Sequence, residues 1–288
     1  LGCCVSGFGN RSVNLINIMI ARPSPRSVRW IMLITLLAAW QLLPATGIIP
    51  ELFLPSLYKT LTVLILDWKI YGSALLVTLG EVVLAMAIAC GGGIAAGAIV
   101  GGFSLIRAIF LPIFSSLYAV PIVILYPVLT AWLGVGPPSK IVFAGVYAFF
   151  PVMLSTAAGI RTIDPQFLLV ARSMGANLLQ QVLLVIVPAA LPTIFNGLRL
   201  GGALAIIGVV VAEMLTAAAG IGYLVTLNRT ILDSPRVFAA LLMILLLSIA
   251  YDICTRLLEA RLISWVPQRQ SPLAGRGSLS ANTTTSAA

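Results

Sequence analysis

The amino-acid sequence predicts an all-α fold, a polytopic membrane helical bundle with six transmembrane helices. Only 9% of the 288 residues are charged and 60% are apolar, whereas an ordinary soluble domain carries about 25% charged residues. Six apolar runs are each long enough to cross a hydrocarbon core of about 30 Å, because an α-helix rises about 1.5 Å per residue. With so few charged side chains the chain cannot build a polar exterior, so we expect it to lie in a lipid bilayer.

The six predicted spans set the topology of the chain. They are placed at 29–49, 72–100, 105–133, 139–160, 183–212 and 236–258. An even number of spans puts both termini on one side of the membrane. The connecting segments on that side carry Arg11, Arg22, Arg26, Arg29, Arg107, Arg161, Arg172, Arg256, Arg261, Arg269 and Arg276. The other side carries Lys59, Lys69, Lys140, Arg229 and Arg236. Because cytoplasmic loops are enriched in Lys and Arg, both termini are predicted to be cytoplasmic.

The domain organisation follows from these spans. Residues 1–28 are predicted to be a basic cytoplasmic segment, 29–265 the transmembrane domain, and 266–288 a disordered cytoplasmic tail rich in Ser, Thr and Gly. Segment 50–71 is less apolar and carries charges of both signs. We expect it to form an amphipathic helix along the outer interface, since its apolar run 61–66 is too short to span the bilayer.

Composition excludes several chemistries. The chain has no histidine, so Ser-His-Asp hydrolysis, Cys-His proteolysis and His-ligated zinc are ruled out. Its four cysteines show no C-x-x-C spacing, which gives a metal site no support. Neither a catalytic centre nor a nucleic-acid partner is expected. The run Gly91-Gly92-Gly93 lies in an apolar helix and no G-x-x-x-x-G-K-[ST] motif is present, so no phosphate-binding loop is predicted.

Glycine and proline positions predict how the spans pack. Gly93, Gly97 and Gly101 recur at every fourth residue, as do Gly197 and Gly201. Such stripes allow a close approach of helices, either within one subunit or at a dimer seam. The third span contains three prolines, which remove backbone donors and bend a helix. The bend can line a path or be purely structural. The three are Pro112, Pro121 and Pro127.

The fourth connection, about 161–187, is the most informative segment. Asp164-Pro165 is a helix start, because Asp can cap the free N–H groups and Pro fits the first turn. Apolar residues follow at helical spacing up to Gly175, which ends the first helix, and a second helix leads to Pro188. A short amphipathic helix of this kind can dock in a groove of a partner protein or lie in the membrane interface.

The same segment resembles the cytoplasmic loop of permease subunits of bacterial ABC importers. Ala171, Gly175 and Pro188 match the pattern E-A-A-x-x-x-G-x(9)-I-x-L-P without a gap. The resemblance extends over residues 50–265 and is nearest to the nitrate, sulfonate and taurine branch. It is carried further by Pro121, Pro127, Gly134-Val135-Gly136, Ser139-Lys140, Gly159-Ile160-Arg161, Pro188-Ala189-Ala190-Leu191-Pro192, Gly197-Leu198-Arg199, Ala212-Glu213 and Gly220-Ile221-Gly222-Tyr223-Leu224.

The resemblance implies a type I ABC importer permease fold in a bacterial inner membrane. It implies that two permease copies, expected to be a homodimer, form the pore, that an extracytoplasmic binding protein delivers the solute, and that cytoplasmic ATPase subunits bind the loop. ATP and Mg²⁺ would then bind the ATPase, and this chain would hold no cofactor. The loop residues it assigns to ATPase coupling are Asp164, Pro165, Leu169, Val170, Ala171, Arg172, Gly175 and Pro188.

The chain departs from the family pattern at three places. Leu169-Val170-Ala171 stands where the family has Glu-Ala-Ala. A carboxylate there could meet a basic residue of the ATPase, so its absence suggests a more apolar contact or weaker coupling. Glu81 stands where the family often has Arg, and Pro137 where it often has an acidic residue.

Charged residues inside the spans are the other candidates for function, since an ionised side chain at mid-membrane costs about 2.5–3.5 kcal/mol. The predicted translocation path contains Pro121, Pro127, Arg199 and Glu213. Arg199 in the pore would suit an anionic solute, or it could fix helix packing, with Glu81 as a conceivable partner. Glu213 could line the outer vestibule or act as a structural hydrogen-bond acceptor. Asp252 is expected to pair with Arg256 on one helix face.

The sequence leaves more than one function open. The first is an importer permease for a small anion such as a sulfonate, taurine or nitrate. Importers of thiamin precursors or riboflavin share much of the pattern. An ion-coupled secondary transporter, with Glu81, Glu213 or Asp252 as proton carriers, is a further alternative.

Overall fold

A computed structural model describes residues 25–47, 49–216 and 218–263, without the side chains of residues 25 and 26. In this part of the chain all regular structure is helical. The described residues form two compact units, one comprising those up to Ala74 together with Leu224–Met243, and the other Leu75–Tyr223 together with those from Ile244 onward. The basic residues of the predicted segment 1–28 that precede Pro25, and the whole predicted tail 266–288, lie outside the described residues.

The described helices follow one another along the chain with short connections. They are α1 (Pro25–Ala45), α2 (Leu57–Leu66), α3 (Trp68–Gly102), α4 (Ser104–Ala119), a 3₁₀ turn (Ile122–Leu125), α5 (Tyr126–Leu133), α6 (Pro137–Arg161), α7 (Pro165–Ser173), α8 (Leu178–Gln181), a π turn (Val182–Ile186), α9 (Val187–Thr216), α10 (Ile221–Thr230) and α11 (Ser234–Leu262).

Five of the six predicted spans correspond to continuous helical segments. Within the described ranges, Ser27–Ala45, Trp68–Gly102, Pro137–Arg161, Leu178–Thr216 and Ser234–Leu262 are long and apolar enough to cross a membrane. The segment Leu178–Thr216 has 39 residues, which corresponds to roughly 58 Å of helix and nearly twice the thickness of the hydrocarbon core.

The third predicted span, 105–133, is not one helix. It consists of α4 and the segment Ile122–Leu133, which are bent by 85° at a break. Val120 adopts an extended conformation, with φ −73° and ψ 135°, because the proline ring that follows disfavours α-helical geometry in the preceding residue. Pro112 lies inside α4 without ending it, and Pro127 lies in the first turn of α5.

The unit that contains α2 is held together by polar contacts at helix ends. Ser56 caps α2 by accepting a hydrogen bond from the Lys59 N–H. The Tyr71 hydroxyl donates to the Arg236 carbonyl at 2.9 Å, and the Arg236 guanidinium lies 3.3 Å from Asp67. The 10 residues of α2 are too few to span a bilayer, as predicted for 50–71.

The other unit is built around α6, which packs closely against both α3 and α9. A Cβ added at Gly97 would lie 2.6 Å from the Met153 carbonyl oxygen and from Thr156 Cβ. One added at Gly197 would lie 2.6 Å from Ser155 Cβ. Both glycine stripes therefore pack within the subunit, which confirms the intrasubunit alternative of the sequence analysis.

Candidate functional site

The loop between α6 and α9 begins with a capped helix, as the sequence predicted. Asp164 is the N-cap of α7, and its Oδ1 accepts a hydrogen bond from the Gln166 N–H at 2.9 Å. Pro165 occupies the first helical position, where its missing N–H would have no helical partner anyway. The two residues fix the direction in which α7 leaves the end of α6.

Gly175 ends α7 in a Schellman motif. Its N–H donates to the Arg172 carbonyl at 2.9 Å, and the Ala176 N–H donates to the Ala171 carbonyl at 3.0 Å. Gly175 has a φ of +78°, a conformation that side chains with a Cβ adopt only at a cost. In the sequence pattern, Ala171 therefore marks the last turn of α7, and Gly175 is the residue that ends this helix.

Polar contacts join the two helical pieces of the loop. The Arg172 Nε donates to Gln181 Oε1 at 3.3 Å, and Gln181 Nε2 donates to the Ala176 carbonyl at 2.8 Å. Asn177 and Gln180 form a capping box at the start of α8. Arg172 thus connects the two helical pieces of the loop. Sequence reasoning singled out Arg172 but did not foresee Gln181 as its partner.

The outer surface of the loop is apolar and uncovered. None of the residues of α7 is buried, and Met174 is 82% exposed. We call the following exposed side chains the loop apolar surface: Phe167, Leu169, Val170, Met174, Leu178 and Leu179. A cluster of large apolar side chains around capped helices can dock against another protein or lie in the membrane interface.

Pro188 follows a π turn in the helix that leaves the loop. The Val187 N–H donates to the Val182 carbonyl five residues earlier, one residue further back than in an α-helix. The sequence predicted a second helix between Gly175 and Pro188 and a fifth span from residue 183, and in the structure both belong to one helical segment that begins at Leu178 and continues to Thr216. The capping box at Asn177 is the signal that marks this earlier start.

Two of the predicted path residues lie at the broken span. Pro121 and Pro127 flank the 3₁₀ turn Ile122–Leu125, and both are exposed. Backbone that is not helical is not tolerated against lipid, because its free N–H and C=O groups would have no partners there. This break therefore requires either protein or water beside it.

Arg199 lies between two acidic residues of α11. One of its terminal guanidinium nitrogens donates to Glu259 Oε2 at 2.5 Å, and its Nε lies 3.3 Å from Asp252 Oδ1. Asp252 also accepts from Arg256 at 2.7 Å, which confirms the predicted local pair. The geometry gives Arg199 a packing role, because its charge is already balanced by side chains of the same unit. Its place in a solute path stays a prediction.

Glu213 is 1% exposed and accepts two hydrogen bonds. The Thr78 hydroxyl donates to its Oε1 at 2.8 Å, and the Gly222 N–H donates to its Oε2 at 2.8 Å. Gly220, with a φ of +105°, lies so close to this carboxylate that a Cβ there would overlap it. The geometry corresponds to the structural acceptor considered for Glu213. The helix α10 that it anchors was missed by the sequence analysis.

Glu81 does not meet Arg199. It forms an ion pair with Lys140, and both side chains are almost fully buried between α3 and α6. The conceivable pairing of Glu81 with Arg199 is therefore wrong. Lys140 was overlooked because it was counted as a loop residue, whereas α6 begins at Pro137 and places Lys140 within its first turns.

Several apolar helices long enough to span a membrane, joined by a capped two-helix loop, define the class of polytopic membrane proteins. The chain belongs to the family of binding-protein-dependent transport system inner membrane components, which matches residues 89–264. It is an ABC importer permease of the branch that includes sulfonate, taurine and nitrate proteins.

Individual relatives cover most of the chain. A Bacillus subtilis protein named as an aliphatic sulfonates transport permease, SsuC, is 33% identical over 80% of this chain and 84% of its own length. The taurine transport permease TauC of Escherichia coli is 31% identical over 81% and 87%. A solved structure, the inward-facing MetNI methionine ABC transporter, has a TM-score of 0.60 at 17% identity and covers 68% of this chain and 97% of its own. That likeness shows the fold.

Proposed function

We propose that this permease forms a pore with a second copy of itself and imports a small anion such as a sulfonate, taurine or nitrate. An extracytoplasmic binding protein delivers the solute, and separate cytoplasmic ATPase subunits supply the energy by binding ATP and Mg²⁺. The observation that carries this proposal is the loop apolar surface, which offers a partner a large apolar area on the two helical pieces between α6 and α9.

The docking role rests on the construction of the loop. Caps at both ends of α7 and the Arg172–Gln181 contact hold the surface in one conformation without a covering element. A preorganised surface loses little entropy when it binds. Leu169, which stands where a glutamate is usual, is 67% exposed and makes the proposed contact with the ATPase more apolar.

The orientation follows from this docking role. If the loop binds an ATPase, it lies in the cytoplasm, and the distribution of Lys and Arg supports the same side for both termini. On this arrangement Glu213 and Gly220 lie toward the outer end of α9. The broken backbone at Pro121 then faces the second copy or the water-filled path between the copies, since lipid cannot satisfy it.

The proposed solute class rests on the relatives. Sulfonate and taurine permeases cover about four fifths of this chain. The riboflavin permease RibX of Chloroflexus aurantiacus is 34% identical but covers 54% of this chain and 58% of its own length. The broad coverage by SsuC of Bacillus subtilis and by TauC favours a sulfonate or taurine, and riboflavin or a thiamin precursor is the second candidate. The nitrate permease NrtB covers 56% of this chain, about as much as RibX.

A proton-coupled transporter is less well supported by the contacts. Glu81 is paired with Lys140, Glu213 accepts two hydrogen bonds, and Asp252 is shared by two arginines. A carboxylate that carries protons has to exchange its partners with water, and each of these three is held in place.

Affinity purification of the tagged chain from its native membrane in mild detergent tests the proposal. A P-loop ATPase in stoichiometric amount is the expected result. Uptake of labelled sulfonate, nitrate and riboflavin by the reconstituted complex, with its binding protein and ATP, then identifies the solute. Uptake by the permease alone under a pH gradient, without any ATPase, would contradict the proposal.

A further inference from the structure

We propose that the π turn Val182–Ile186 is the joint across which the docking loop moves relative to the helices of the bundle. This inference rests on the proposed docking of an ATPase on the loop. It concerns the segment that connects the docking surface to α9, and it assigns Pro188 as the positioning residue that maintains the joint.

On one side of the π turn, α9 is fixed to α6 by close packing. The contacts begin near Ala190, where a Cβ on Gly159 would lie 3.3 Å from the Ala190 carbonyl oxygen and 2.9 Å from Thr193 Cβ. They continue at Gly201, where a Cβ would lie 2.7 Å from Val152 Cγ2. Because packed small residues leave no space for sliding or tilting, α6 and α9 move as one body from this point onward.

On the other side of the π turn, α7 and α8 are tied to each other. The Arg172 side chain reaches Gln181, and Gln181 in turn reaches the Ala176 carbonyl. Gln181 is buried although its neighbours in α8 are exposed. These contacts make the loop a second body that ends where the π turn begins.

Between the two bodies the helix has weaker constraints. The side chains of Val182, Leu183 and Leu184 are exposed. The Val187 N–H reaches back five residues to Val182, and Pro188 has no N–H to offer to the Leu184 carbonyl four residues earlier. A π turn contains one residue more than the α-helical turn it replaces. Its conversion to α-helix would rotate the loop by about 100° and shift it by about 1.5 Å relative to α9.

Such a conversion gives a docked partner a way to act on the bundle. Force on the loop apolar surface would be carried rigidly as far as Gln181 and would then act on the π turn. Only a few backbone hydrogen bonds have to change partner there, whereas the packed interface of α6 and α9 stays intact.

The test compares two proline variants in the assembled complex. Pro188→Ala supplies the N–H that an α-helical turn needs next to the π turn, and Pro192→Ala makes the same change in the regular part of α9. In proteoliposomes with the binding protein and ATPase, we expect Pro188→Ala to lower the solute uptake per bound ATPase at least fivefold. Pro192→Ala is expected to transport within twofold of wild type.

Amide hydrogen exchange of the complex supplies the structural readout. We expect the amides of residues 182–187 to exchange at least tenfold faster than those of residues 190–200 in the wild type, and Pro188→Ala to slow the exchange of residues 182–187. Wild-type uptake by Pro188→Ala, or an equal loss of uptake in both variants, would contradict the assignment of the π turn as the joint. Equal exchange in the two segments would contradict the proposed joint, whether or not an ATPase binds. The absence of a bound ATPase from the wild-type complex would instead contradict the proposed docking function.

Discussion

The α6–α9 interface and the loop that follows α6 differ in whether their apolar side chains are buried or exposed. In the interface, glycines and small residues bring the backbones together, and Phe143, Ala148 and Val152 are fully buried. In the loop, large apolar side chains surround two capped helices and remain uncovered. The side chains of the interface are thus buried within the subunit, whereas the apolar side chains of the loop are held by capped helices and stay exposed. A rigid surface that lacks a cover is suited to a partner supplied by another chain.

The largest effect is expected from filling the contact between α3 and α6, where a glycine also brings two backbones together. Gly97→Val places a side chain against the Met153 carbonyl and Thr156, and overpacking of this kind costs about 1–3 kcal/mol and sometimes more. We expect a strong fall in the melting temperature of the detergent-solubilised protein and in its level in the membrane. Gly91→Val is the matched control, because a Cβ at Gly91 of the same helix meets nothing within 4 Å. Equal losses in both variants would refute the packing assignment.

A charge on the loop apolar surface should abolish docking without affecting stability. Met174→Asp is expected to reduce the copurified ATPase at least tenfold, a free-energy loss of about 1.4 kcal/mol or more, because a carboxylate would have to be buried in an apolar contact. The melting temperature of the permease alone should not change, since Met174 is exposed. Gln166→Asp, in the first turn of α7, controls for added charge. Normal ATPase recovery with Met174→Asp would remove the loop from the docking role.

Removal of the Glu213 carboxylate should destabilise the bundle moderately. Glu213→Ala takes away the acceptor that the Thr78 hydroxyl and the Gly222 N–H share, and a buried donor without its acceptor costs about 1–3 kcal/mol. Thermal unfolding in detergent should show a lower melting temperature than for Glu259→Ala, whose carboxylate is partly exposed. If the Glu213 variant melts like wild type and loses only solute uptake, Glu213 belongs to the path instead.

The smallest effect is expected at the surface pair of α11. Arg256→Gln breaks an exposed contact with Asp252 at 2.7 Å, and such pairs on one helix contribute about 0.3–0.5 kcal/mol. Melting temperature and uptake should both stay within error of wild type. A clear fall in uptake would show that the charges around Arg199 act on the solute as well as on packing.

Local signals in the sequence predicted the loop better than they predicted the charged contacts. Asp164-Pro165 and Gly175 were sufficient to place both ends of α7, because caps depend on neighbouring residues. The partner of Glu81 could not be predicted, since it depends on how α3 packs against α6. The 85° bend at Pro121 was foreseen only as a kink, because a proline signals a break but the packing around it sets the angle.

The most direct test of the account is the accessibility of position 174 in the membrane. In a cysteine-free background, Met174→Cys is labelled with a membrane-impermeant maleimide in inside-out vesicles, with and without the ATPase. Phe53→Cys, at an exposed position of the other unit, is labelled in right-side-out vesicles as the control. We predict at least tenfold protection of position 174 by the ATPase and none at position 53. Equal labelling of position 174 with and without a bound ATPase would contradict it.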